Sequence, residues 1–290
     1  MNLDDTNRTF GVELELLSPV SDRDLVDTLN TFCQPLNWYG ADNCPKNIVF
    51  RRANYSNKDN QWRVKPDVSI RSQGRGHGVE IVTPILKGEK DMEALVKIVT
   101  FLEELGCKVN KSTGFHCHID ISDFNSQNCR RLMMVLAKYE TSINDFLPQS
   151  RKGNNNHYCR NSFFGSEDLY HIYKTVKRLA KISKRELLGY EPFTGRGKWN
   201  FQNFWRHGTF ENRAHSGTCN ADKVEHWVRL TMGLILKAKS HQVVPVHHGR
   251  LDDDRNNSKT LLAMLARSGF ISSQTKRFMN KRAKDLRNAV

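Results

Sequence analysis

Thr9-Phe10-Gly11-Val12-Glu13-Leu14-Glu15-Leu16-Leu17 decides how this chain is read. Phe10, Val12, Leu14 and Leu16 alternate with Gly11, Glu13 and Glu15. A period of two is that of a strand with one buried face. Glu13 and Glu15 then share the non-core face. One isolated Glu-x-Glu on a strand is ordinary, because alternation alone produces it. Its weight depends on what other segments bring to the same face.

Three further segments bring chemistry. A hairpin is predicted with arms Trp62 to Arg71 and Gly78 to Thr83, and the second arm carries Glu80. Phe115 to Ile121 alternates again, with His116, His118 and Asp120 opposite Phe115, Cys117 and Ile119. Trp199 to Arg206 and Gly208 to Arg213 read as strands, and the latter turns Glu211 and Arg213 to one side. Carboxylates gathered on one face repel one another, and a cation offsets that repulsion. Carboxylate oxygens with one or two imidazoles suit Mg²⁺ or Mn²⁺.

Between these segments the chain reads as helical. Helices are expected over Asp22 to Phe32, Lys90 to Leu105, Gln127 to Phe146 with Ser126 as N-cap, Glu167 to Leu188, and Asp222 to Ala238. Two basic helices follow, near 258–267 and 273–288. Strands and helices do not alternate strictly, so a parallel doubly wound sheet is disfavoured. The expected class is α+β, with a mainly antiparallel sheet flanked by helices. One domain over residues 1–290 is expected, with a basic helical segment from about residue 255.

Composition narrows the function classes. The chain has 290 residues and a formal charge of +14. Mean hydropathy is −0.62, and no apolar run approaches the roughly 20 residues of a membrane helix. Met1-Asn2-Leu3-Asp4-Asp5 lacks the basic and apolar regions of a secretory leader, so a cytoplasmic location is expected. Seven cysteines with no Cys-x-x-Cys argue against a disulfide framework or a zinc ribbon. The positive charge suits an anionic partner or simple solubility. Lys174, Lys177, Arg178, Lys181, Lys184 and Arg185 on one helix, and Lys276, Arg277, Lys281, Arg282, Lys284 and Arg287 on another, offer a surface for an acidic polymer or nucleic acid. Asp252-Asp253-Asp254 and His247-His248 read as exposed loop residues.

Four motifs occur in order: Phe10-Gly11-Val12-Glu13-Leu14-Glu15, Gly78-Val79-Glu80-Ile81-Val82-Thr83-Pro84, Thr113-Gly114-Phe115-His116-Cys117-His118 and Gly208-Thr209-Phe210-Glu211-Asn212-Arg213. Asp67-x-Ser69 and Trp199-Asn200-Phe201 add to them. In these motifs the chain resembles the amidoligase family, whose core is similar to those of glutamine synthetase and glutamate–cysteine ligase. The resemblance covers about residues 9 to 235. It implies a curved sheet forming a funnel or half-barrel that takes ATP and clamps Mg²⁺ or Mn²⁺. It implies that Glu13, Glu15, Glu80, His118 and Glu211 are metal ligands. It also implies that Arg213 holds a phosphate oxygen of ATP or of the acyl-phosphate, with Asn200 near the nucleotide; Arg160, in a polar basic loop, is a candidate to grip a carboxylate or phosphate, the other reading being a solvated loop. Asp67 and His116 are candidate bases for the attacking amine. The implied reaction joins a small-molecule or peptide carboxylate to an amine through an acyl-phosphate. Asn212 stands where the family's last motif commonly has an aromatic, and it should lie on the opposite face. The rival readings are a metal-dependent nuclease or hydrolase, and a nucleic-acid-binding protein using the basic surface.

Overall fold

The computed structural model describes residues 1–34, 48–53, 61–72, 74, 76–153, 156–162, 197–240 and 257–289. The chain divides into two compact units. One comprises residues 2–117 and 216–225, and the other residues 118–215 and 226–290 together with Met1. Secondary structure is mixed α+β, and the strands make a mostly antiparallel, open sheet.

In the first unit the strands run in the order β2-β3-β4-β1-β6, with β5 on the end of β1. They are β1 (Thr9–Ser18), β2 (Phe50–Arg52), β3 (Trp62–Pro66), β4 (His77–Val82), β5 (Leu86–Lys87) and the start of β6 (Gly114–Asp120). β1 is the long central strand. Phe10, Val12, Leu14 and Leu16 are all at most 2% exposed, and the residues between them are half-buried. The alternation of the opening motif is therefore real. Full burial of one such side chain contributes roughly 1.5–3 kcal/mol. β1 pairs antiparallel with β4, while β2 and β3 run parallel.

Two helices belong to this unit. α1 (Asp22–Cys33) is capped by Ser21, whose side chain accepts from the Asp24 amide, and it buries Leu25 and Leu29. α2 (Gly88–Glu104) buries Met92, Leu95, Ile98, Val99 and Leu102 on one face. Gly106 has φ +90° just beyond its end, the left-handed stop that favours glycine. Phe32 of α1 stacks on Phe101 of α2 with ring centroids 4.0 Å apart.

The second unit holds the remainder of β6, then β8 (Thr209–Ser216) and β7 (Trp199–Asn200), in that order. α3 (Ser126–Ile143) is almost wholly buried. Its N-cap is Asn125 rather than Ser126. Asn125 and Asn128 exchange side-chain and backbone bonds in a capping box, and Ser126 is the first helical residue. α4 (Asn203–His207) is short. α5 is Ala221–Lys239, α6 is Ser258–Arg267 and α7 is Ser273–Asn288. α7 buries Thr275, Met279 and Ala283 and exposes Arg277, Lys281 and Lys284 as a stripe. The basic helix expected over 167–188, the aspartate triplet and His247-His248 lie outside the described residues.

Two expected strands are shorter than their patterns. Trp199 to Arg206 is a strand only at Trp199–Asn200. There the Asn200 side chain accepts from the Gln202 amide, which turns the chain into α4. The first hairpin arm stops at Pro66, not Arg71. Asp67 Oδ1 accepts from the Ser69 amide and its carbonyl from the Ile70 amide, so a turn replaces the ladder. No described helix is long and apolar enough to cross a membrane. The six described cysteines are all buried thiols.

Candidate active site

The first unit gathers Glu13, Glu15, Glu80, Lys65 and His116. The β-ladders set this row by row. Lys65 pairs with Glu80 across β3–β4, and Glu80 pairs with Glu15 across β4–β1. Three side chains on adjacent strands thus stand in file on one face. Lys65 Nζ donates to Glu80 Oε2 at 3.0 Å. The Gly114 amide donates to Glu15 Oε2 at 2.6 Å, which fixes that carboxylate against the start of β6.

His116 sits between two carboxylates. Its Nδ1 is 3.0 Å from Glu13 Oε2 and its Nε2 is 3.7 Å from Glu15 Oε1. The imidazole is 6% exposed, so this arrangement is shielded from water. Burial, and then the Glu13 carboxylate, push the Glu80 carboxyl up to about 7, against the opposing pull of Lys65 and His116. Part of that rise is carboxylate repulsion, the condition that a bound cation relieves. Three carboxylates, with no thiolate, form a donor set that fits a hard divalent ion such as Mg²⁺ or Mn²⁺.

The second unit gathers His118, Glu211, Arg213, Asn200 and Asn203. Glu211 is 2% exposed. Its Oε1 accepts from Arg213 Nη1 at 2.7 Å, and its Oε2 accepts from Asn200 Nδ2 and Asn203 Nδ2, both at 2.7 Å. β7–β8 pairing places Asn200 directly opposite Glu211. His118 Nε2 lies 3.9 Å from Glu211 Oε1, and its Nδ1 lies 3.4 Å from Thr209 Oγ1. Arg213 also reaches the Tyr158 carbonyl at 3.5 Å. Asn212 points the other way, as expected: it is buried and donates to Thr231 Oγ1.

The remaining predicted residues fall elsewhere. Asp67 is half-buried in the turn after β3, with Oδ1 engaged by Ser69. Arg160 is exposed, its guanidinium against His157 Nδ1, and its backbone bridges to Gly197. Asp120 closes a turn onto the Ser122 amide.

Sequence reasoning missed four participants. Lys65 was legible, since Trp62 and Val64 are apolar and Arg63 and Lys65 must take the other face. Asn203 was hidden by the strand reading of its segment. Glu140 and Lys198 carry no motif. Lys198 is fully buried and donates to Asn144 Oδ1 and Asn161 Oδ1. Desolvation pushes its ammonium down to about 8, although Glu140 and Cys159 pull the other way. Glu140 Oε1 in turn accepts from Trp199 Nε1 at 2.8 Å and the Ser162 amide at 2.7 Å. This network braces β7 beneath Asn200.

The family model described as "Putative amidoligase enzyme" matches residues 6–235. The chain belongs to this amidoligase family. The match runs from just before β1 to within α5, and both clusters lie inside it. The description of the family points to a ligase-type activity. No curated protein matches the chain.

Proposed function

We propose that the chain is an ATP- and Mg²⁺-dependent carboxylate–amine ligase that forms an amide bond through an acyl-phosphate. One observation carries this reading: Glu13, Glu15, Glu80 and His116 converge on adjacent strands within the amidoligase match. The core similarity to glutamine synthetase and glutamate–cysteine ligase belongs to the same proposal.

A carboxylate does not condense with an amine unaided, because oxide is a poor leaving group. The acid substrate therefore takes the γ-phosphoryl group of ATP, and the amine then displaces phosphate. Mg²⁺ or Mn²⁺ ions would be held by Glu13, Glu15 and Glu80 in the first unit and by His118 and Glu211 in the second, and would neutralise phosphate charge. The residues of this chain do the rest. Arg213, oriented by Glu211, offers a planar fork to a phosphate oxygen. Asn200 and Asn203 hold the Glu211 carboxylate in place, and Arg160 stands near the nucleotide. His116 or Asp67 takes the proton of the attacking amine.

The test is ATP turnover with Mg²⁺ across a panel of acids and amines. Wild type should release ADP and phosphate only when both substrates are present. Glu13→Gln and Glu211→Gln should each lower kcat by about 10²-fold or more. Turnover like wild type in both variants would refute the site assignment.

A further inference from the structure

A basic file runs beside the acidic one. Phe50 and Arg51 of β2 pair with Trp62 and Arg63 of β3. Phe50, Trp62 and Val64 are at most 4% exposed, and Phe50 and Trp62 pack ring to ring at 5.2 Å. Alternation then fixes Arg51, Arg63 and Lys65 on the opposite face, the one that carries Glu80, Glu13 and Glu15. Register makes this quantitative. Lys65, Glu80 and Glu15 form one row across three strands, and Arg63, Val82 and Glu13 form the next. At about 4.8 Å per strand, the sign of charge reverses within one strand spacing in the first row and within two in the second.

The geometry points to an anion subsite on β2 and β3, made by Arg51, Arg63 and Lys65, which holds a carboxylate or phosphate group of a substrate next to the acidic strands. Lys65 links the two files. Its ammonium donates to Glu80 Oε2 at 3.0 Å. A divalent cation bound to the Glu80 carboxylate competes for the same oxygens and repels that ammonium. Lys65 then turns to the nearest anion, which is the ligand on Arg63 and Arg51. Cation and anion therefore bind with positive coupling, and Lys65 is the positioning residue that carries it. The use of this subsite in catalysis rests on the ligase reading, whereas anion binding itself does not.

The experiment is isothermal titration calorimetry on the full chain, with and without MgCl₂. The probes are succinate, inorganic phosphate and a non-hydrolysable ATP analogue. Wild type should bind at least one probe, about tenfold tighter with Mg²⁺ present. Lys65→Met should weaken that probe by about tenfold, and Lys65→Arg should restore it. Lys65→Met should also bind Mg²⁺ alone more tightly than wild type, a gain that mere structural damage would not produce. Arg51→Met, at an exposed position, should weaken the anion about threefold without touching the core. Loss confined to succinate assigns a substrate carboxylate, and loss confined to phosphate and the analogue assigns the nucleotide. The proposal is overturned if wild type binds no probe at about 10 mM. It is overturned equally if Lys65→Met binds all three like wild type, or binds Mg²⁺ more weakly. Anion binding without any ATP turnover would sink the ligase reading and leave the subsite standing.

Discussion

Glu15 and Glu80 are direct partners across the antiparallel β1–β4 ladder. Like charges in that position destabilise a sheet. The strain is met in three ways: Lys65 bonds Glu80, the Gly114 amide holds Glu15, and the Glu80 carboxyl is pushed up to about 7 by burial and by Glu13.

A pH dependence follows from Glu80. Its folded pKa lies above its unfolded value, so the folded state binds the extra proton between about pH 4.5 and 7. The contribution of this group to stability is fully present below pH 4.5 and is lost as pH rises through about 7, by up to about 3 kcal/mol. Thermal melts from pH 4.5 to 8 in a chelator should show that fall in wild type. Glu80→Gln should flatten it, and identical slopes in the two proteins would contradict the assignment.

Lys198 gives the opposite sign. Burial holds its folded pKa near 8, below the unfolded value of 10.5, so stability should rise between those two values by up to about 3 kcal/mol. Lys198→Met should remove this alkaline rise. It should also cost about 1–3 kcal/mol near neutrality, because Asn144 and Asn161 lose their shared donor. Chemical denaturation at pH 7.5 and pH 10 reads both effects.

Glu211 is the hub of the second cluster. Glu211→Gln keeps its shape but removes the charge that Arg213 pairs with, and it puts an amide donor among donors. The expected cost is about 2–3 kcal/mol. A urea midpoint equal to that of wild type would show that the cluster carries little stability.

Gly217 is a test of tolerance. A Cβ there would lie 2.2 Å from Thr113 Oγ1 and 3.2 Å from the Glu15 carbonyl oxygen. Its amide also bonds the Thr113 carbonyl, one residue before the Gly114 amide that anchors Glu15. Gly217→Ala should destabilise by about 1–3 kcal/mol. It should also weaken Mn²⁺ binding, measured by titration, because Glu15 loses its fixed anchor.

The fold was legible where one period ran undisturbed. β1 and the helices α2, α6 and α7 follow their apolar spacing, because a single buried face decided each of them. Trp199 to Arg206 was misleading. Its aromatic residues carry strand propensity, but the side chain of Asn200 bonds the backbone two residues on and ends the strand. The hairpin failed in the same manner at Asp67. Local side-chain-to-backbone bonds are invisible to periodicity. At the site, Glu13, Glu15 and Glu80 share one face as alternation predicts, since strand alternation is a local property. Lys198 and Glu140 were not read at all. Each is a charged residue whose burial depends on partners distant in sequence, and no spacing rule reports that.

The raised Glu80 carboxyl has a consequence for the medium around the protein. Near neutrality a cation binding in the first cluster would displace the proton from that fraction of Glu80 which carries one. Loading would thus acidify an unbuffered solution, and its apparent heat would vary with the ionisation enthalpy of the buffer chosen. Occupancy would climb as the surroundings turn alkaline. Through one carboxyl group, loading of a metal ion would be exchanged for release of a hydrogen ion.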